Sequence, residues 1–167
     1  MSREVDFSTA LALALRWLGL RSYTAGELTR KLLAKGAEEE TAAAVVQHLV
    51  EKGYLDDATC AGRWLEGRAR RGWGRCRLLA GLLQKGLPQQ QADELLAQYL
   101  PYEKEVEQAL EIARQRWPRA ASRGPEAWRT LANTLRCRGY SPEVIAAVRE
   151  RLAAEGFAAL DKAGKRE

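Results

Sequence analysis

Five arginines crowd the stretch GRARRGWGRCR, from Gly67 to Arg77. Arg68, Arg70, Arg71, Arg75 and Arg77 surround Trp73 and the glycines at 67, 72 and 74, with no acid among them. A guanidinium offers a planar fork of N–H donors that matches a carboxylate or a phosphate edge-on. Arginine beside tryptophan is also a pairing enriched where proteins grip one another. The chemistry on offer is therefore recognition of an anion, by a grip for phosphates or a docking surface for an acidic protein. A run of like charge is by default a solvated loop. Because the charge is nearly all arginine and Trp73 stands within it, docking is the preferred reading. Widening the window to 62–86 adds Arg63 and Lys85, against Glu66 alone. The surplus of this one segment exceeds the net charge of +5 carried by the whole chain.

Catalysis finds little support elsewhere. His48, the single histidine, sits in VVQHLVEKG without a partner to tune it as a base. Asp56 and Asp57 in GYLDD could hold a metal, yet Asp56 fits better as a helix N-cap, with Asp57 favoured by the dipole of the first turn. Glu38, Glu39 and Glu40 read the same way, as acids at a helix start. Cys60, Cys76 and Cys137 are widely spaced, form no CxxC pair and have no nearby base to activate a thiolate. There is no GxxxxGK[ST] loop and no GxGxxG after a strand. The reading is a binding protein, not an enzyme, without cofactor or metal.

With 167 residues, 46% hydrophobic and 29% charged, the chain is long enough for an ordinary globular core. The first residues, MSREVDFSTA, lack the pattern of a signal peptide, and no apolar run approaches the roughly 18 residues of a membrane helix. A cytoplasmic monomer is expected, with no membrane partner.

The elements that position the arginines emerge from a repeat. KLLAKG, GLLQKG and NTLRCRG align on Gly36, Gly86 and Gly139, spaced by 50 and 53 residues. Leucine recurs four residues before each glycine (Leu32, Leu82, Leu135) and eight before (Leu28, Leu78, Leu131). Nine after stand Val45, Leu95 and Val148, and thirteen after Leu49, Tyr99 and Leu152. Arg-Trp appears three times upstream, at Trp17, Trp64 and Trp117, each tryptophan expected in the core. The fold class is all-α, as three tandem three-helix repeats: 8–53, 54–101 and 102–156, followed by a charged tail, 157–167. In each repeat the middle helix carries the leucines on one face. Thr24 with Glu27 forms a capping box at its start. The glycine ends it in the left-handed conformation. Ser141-Pro142 and Leu87-Pro88 then read as N-cap followed by proline at the first helical position.

The order of these blocks resembles the RecX family, regulators of the bacterial RecA recombinase. Arg21-Ser22-Tyr23-Thr24 leading into Glu27-Leu28 and Lys31-Leu32 matches the family's early R-S-x-x-E-L-x-x-K-L block with one extra residue. Gly53 to Asp57 matches its G-Y-(L/I)-D-D turn. Arg68 with Gly72–Gly74 matches the arginine and glycine-rich turn that follow, and Leu82, Lys85, Gly86 and Leu87 match L-x-x-K-G-(I/L). The likeness covers about residues 8–155; its third repeat is the loosest, with Thr130 where Glu27 stands. It implies an elongated, curved helical module lying in the groove of the RecA–DNA filament, inhibiting ATPase and strand exchange in DNA repair and recombination. Acidic recombinase surface, with nearby DNA phosphates, would be the target. Arg68, Arg70, Arg71, Arg75 and Arg77 would then form the docking patch, with Trp73, Lys85 and Arg63. A free-standing helical DNA-binding protein built of helix-turn-helix-like units is the alternative.

Overall fold

Helix starts and stops written into the sequence divide the described residues into nine helices. The structure, a computed structural model, describes residues 5–121 and 126–157; the charged tail from 158 on lies outside them. The order is α1 (Phe7–Leu18), α2 (Ala25–Ala34), α3 (Glu39–Glu51), α4 (Asp57–Ala69), α5 (Arg75–Gln84), α6 (Gln89–Tyr99), α7 (Tyr102–Ala121), α8 (Ala127–Cys137) and α9 (Pro142–Ala154). Among the described residues there is no strand, and no helix is long and apolar enough to cross a membrane. The fold is all-α, built from recurring groups of three helices.

The leucine helices α2, α5 and α8 follow the expected periodicity. Leu28 and Leu32, Leu78 and Leu82, and Leu131 and Leu135 are all buried. Thr24 Oγ1 accepts from the Glu27 amide while Glu27 Oε2 accepts from the Thr24 amide, completing the capping box. Gly36, Gly86 and Gly139 take φ of 89°, 86° and 88°, as a left-handed C′ position requires. The residue after each glycine donates back to the buried leucine of the last turn, as in Ala37 N to Leu32 O at 3.1 Å.

Three local expectations are corrected. α6 and the residue that follows it bury Ala92, Leu96 and Leu100, where α3 buries Ala42, Val45 and Leu49. Leu95 and Tyr99 are only half-buried, because one residue's shift carries the apolar stripe about 100° round a helix. Pro88, not Leu87, is the N-cap of α6, its carbonyl accepting from Ala92 N at 3.0 Å, whereas Ser141-Pro142 caps α9 as expected. Of the three tryptophans only Trp117 is buried, edge-on to Phe157. Trp17 and Trp64 are half-buried beneath the ammonium groups of Lys31 and Lys85.

The described residues pack into two compact units, which cut across the middle helices. The first takes the chain up to Trp64 with Gly81–Ala92, the second Leu65–Ala80 and the chain from Asp93 onward. Both units contain the same junction. In the first, the N-terminus of α2 is finished from outside: Ala25 N donates to Asp57 Oδ1 at 2.7 Å, and the Thr24 hydroxyl donates to Lys85 O. In the second, Arg75 N donates to Glu105 Oε1 at 2.7 Å, and Gly74 N to Arg138 O at 2.8 Å. Ala25 and Arg75 are aligned positions, as are Lys85 and Arg138. A helix N-terminus leaves its first amides without internal partners. Here each receives an acid from the first helix of the next repeat and a carbonyl from that repeat's leucine helix.

Gly67 is exposed in the interior of α4, and a Cβ there would meet nothing within 4 Å. Gly67→Ala is expected to stabilise the protein by about 0.5–1 kcal/mol, from helix propensity alone. A denaturant melt checks this; a loss of stability would mean that the residue is not in open helix.

Candidate partner-binding surface

The arginine stretch is a helix end, a tight turn and a helix start. α4 closes with Gly72 at φ 74°, Gly72 N donating to Ala69 O at 2.8 Å and Trp73 N to Arg68 O at 3.3 Å. This left-handed closure projects Trp73 back over the last turn of α4. The Arg68 guanidinium carbon lies 4.7 Å from the Trp73 ring centroid, and that of Arg77 lies 3.8 Å away. Trp73 is therefore half-buried and clasped by arginines.

The turn is anchored at both ends. Past Gly74 and Arg75, Cys76 N donates to Gly139 O at 3.0 Å. Arg138 donates from one nitrogen to Arg71 O at 2.9 Å and to Gly72 O at 3.4 Å. Arg138 was not among the sequence candidates. Its signal was present: Lys35, Lys85 and Arg138 each stand immediately before the aligned glycine.

The eight candidate residues separate by what they touch. Arg71, Trp73 and Arg77 line one cleft with Asn133, Thr134, Cys137 and Arg138, a hollow of about 520 Å³. Neither Arg71 nor Arg77 has an ion pair among the described residues. Arg70 lies in an adjoining hollow with Arg71, Arg116, Arg138 and Glu111. Its own ion pair, with Glu66 at 3.9 Å, leaves it 83% exposed and is worth little. Arg75 is engaged: beyond its amide bond to Glu105, its guanidinium reaches Asp93 at 3.4 Å. Lys85 belongs to the first unit and turns inward, 13% exposed, to Glu27 at 3.0 Å. Arg63 also belongs to the first unit, exposed in a cleft with Tyr54 and Asp56. The structure thus gathers Arg68, Arg71, Trp73 and Arg77 with Arg138, sets Arg70 beside them, and directs Arg75 and Lys85 to acids.

The remaining candidates take structural places. Asp56 caps α4 by accepting from Thr59 N at 3.0 Å, and this hydrogen bonding holds its carboxyl below the usual range. His48 lies in the last turn of α3, edge-on to Phe7. Cys60 is half-buried, and burial pushes its thiol up.

Glu105 is a buried carboxylate beneath this surface. Burial raises its carboxyl above the usual range, against the opposing pull of the Arg75 amide and guanidinium. The neighbouring Tyr140 hydroxyl is buried without a hydrogen-bond partner among the described residues, and burial, then the Glu105 charge, push it up. A carboxyl raised in the folded state contributes stability below its unfolded pKa and loses it as pH rises through the folded value. Glu105→Gln keeps an oxygen for the Arg75 amide and never ionises. The variant is expected to gain stability relative to wild type as pH climbs from about 4 towards neutrality, around the ordinary glutamate pKa of about 4.3. Thermal melts across that range test it; a pH-independent difference would mean that Glu105 does not titrate there.

Comparison with known proteins gives this helical frame a family. The family model for the first three-helix domain of RecX matches residues 10–49, and that for the second matches residues 56–96. The chain is 41% identical to the regulatory protein RecX of Thermus thermophilus over 65% of its own length and 71% of the relative's. It is 34% identical to the regulatory protein RecX of Deinococcus radiodurans over 89% of its length and 71% of the relative's. The crystal structure of RecX from Lactobacillus salivarius superposes with a TM-score of 0.78 at 20% identity, covering 89% of this chain and 97% of that one, which speaks for the fold. A chain this similar to curated relatives over most of their length, matched by both domain models, belongs to the RecX regulatory protein family.

Proposed function

We propose that the protein binds the filament that RecA forms on DNA and inhibits its ATPase and recombinase activities, acting by binding and not by catalysis. One observation carries the physical side of this reading: Arg71 and Arg77 stand exposed beside Trp73 with no acid among the described residues paired to either. Unpaired guanidiniums in a cleft attract an anionic partner and accelerate its encounter. Family membership supports the identity of the partner. In this proposal the chain works in the cytoplasm as a monomer of three repeats, 8–53, 54–101 and 102–156. The target is acidic recombinase surface, with DNA phosphates beside it.

The test is the DNA-dependent ATPase of the cognate recombinase with this protein titrated in. Hydrolysis is expected to fall at equimolar or lower ratios; unchanged hydrolysis at large excess would remove the proposal. Salt dependence separates it from free-standing DNA binding. An affinity for bare duplex whose logarithm falls by about 0.9 per phosphate contacted for each tenfold rise in salt would favour the latter.

A further inference from the structure

We infer that the cleft between the α4–α5 turn and the end of α8 takes a short acidic peptide segment of the partner, held by the guanidinium forks of Arg77, Arg71 and Arg138. The inference rests on the RecA reading for the partner's identity, but on this cleft alone for its chemistry. Its lining is Arg71, Trp73, Arg77, Asn133, Thr134, Cys137 and Arg138, without a carboxylate. Asn133 Oδ1 accepts from Arg136 at 2.6 Å, which leaves the amide nitrogen as that side chain's free donor. The cleft therefore offers an excess of donors to an oxyanion.

Arg77 is pre-set for the task. Its guanidinium lies over the Trp73 ring at 3.8 Å. Contact of this kind uses the face of the guanidinium and leaves its in-plane N–H edge for a bidentate carboxylate. A side chain already held in one conformation loses less freedom on binding. Arg138 is likewise held, by its bonds to Arg71 O and Gly72 O.

Two observations favour peptide over nucleic acid. The Trp73 ring is occupied by the guanidiniums of Arg68 and Arg77, so it is not an open platform for base stacking, the usual device of single-strand binders. The positive surface is also bounded. It continues through the adjoining hollow, where Arg70 and Arg116 join Arg71 and Arg138 around Glu111, and ends at the next, where Glu66, Glu107 and Glu111 outnumber Arg70 and Lys104. Duplex DNA, with one charge per roughly 1.7 Å of axis, would carry phosphates onto those acids. A segment bearing two or three carboxylates would end before them.

The experiment uses the intact protein and two labelled probes read by fluorescence anisotropy at one salt concentration. One is a short glycine-flanked peptide of three glutamates; the other is an oligothymidylate of equal charge. The peptide is expected to bind at least tenfold more tightly. Arg77→Lys, which keeps the charge but loses the fork, is expected to weaken peptide binding at least fivefold. Asn133→Asp, an exposed change that brings a carboxylate to the cleft, should do the same with an unaltered helical spectrum. Equal or tighter binding of the oligonucleotide, or peptide affinity indifferent to both variants, would overturn the inference. The ATPase assay on the same preparations keeps the two proposals apart. Inhibition without peptide preference removes the cleft assignment alone, and peptide binding without inhibition removes the RecA reading alone.

Discussion

Glutamate at both Arg71 and Arg77 is expected to raise the concentration needed for half-inhibition of the recombinase ATPase at least tenfold, while the protein stays folded. Both side chains are exposed and neither has an ion pair among the described residues, and changes at such positions normally move stability by no more than about 0.5 kcal/mol. The stack of Arg77 on Trp73 at 3.8 Å adds a modest cost, about 0.5–1 kcal/mol at an exposed site. Against an acidic partner, two reversals replace attraction by like-charge contact costing several kcal/mol, and about 1.4 kcal/mol is already tenfold. Arg75 is deliberately excluded. A carboxylate there would stand near Asp93, now 3.4 Å from the guanidinium, and close to buried Glu105, so lost folding would mimic lost docking. Full inhibition by the double variant would place the contact elsewhere on the molecule.

Valine at Gly74 is expected to cost about 3 kcal/mol, the upper end for overpacking, and to lower the melting temperature by roughly 6–12 °C at this chain length. A Cβ on Gly74 would lie 2.5 Å from the carbonyl carbon and oxygen of Gly139 and from Tyr140 N. Those atoms are backbone and cannot swing aside as a side chain would. Gly26 holds the corresponding junction of the first unit, where a Cβ would lie 2.8 Å from Gly86 Cα. A melting temperature for Gly74→Val within about 2 °C of wild type would show that the α4–α5 turn does not approach the α8–α9 turn so closely.

Local signals were legible in the sequence and distant partners were not. The Thr24–Glu27 capping box, the Ser141 cap and the glycine stops all act within a few residues, so composition at fixed offsets sufficed. The stripe of α6 was misplaced because Leu95 and Leu96, then Tyr99 and Leu100, offer two adjacent apolar faces; burial chose Leu96 and Leu100. Lys85 counted as surface charge because its partner, Glu27, lies 58 residues away. The acids that cap α2 and α5 were hidden for the same reason, Asp57 being 32 residues from Ala25 and Glu105 30 from Arg75. Trp73 announced itself as an aromatic among arginines, but only the turn geometry shows that the arginines cover it.

The cross-repeat capping of the leucine helices also orders events during synthesis. A nascent chain emerges from its N-terminus, yet α2 is finished only by Asp57 and by the carbonyl of Lys85, which is made 60 residues after Ala25. At about 5–20 residues per second, that wait is on the order of 3–12 s. Leu28 and Leu32 leave the ribosome on a helix whose first amides still lack their outside partners. Each repeat thus completes its predecessor, and α5 in turn waits for Glu105, Arg138 and Gly139. A ribosome stalled before Gly86 would hold the first repeat in that unfinished state, open to chaperones and proteases for as long as the pause lasts.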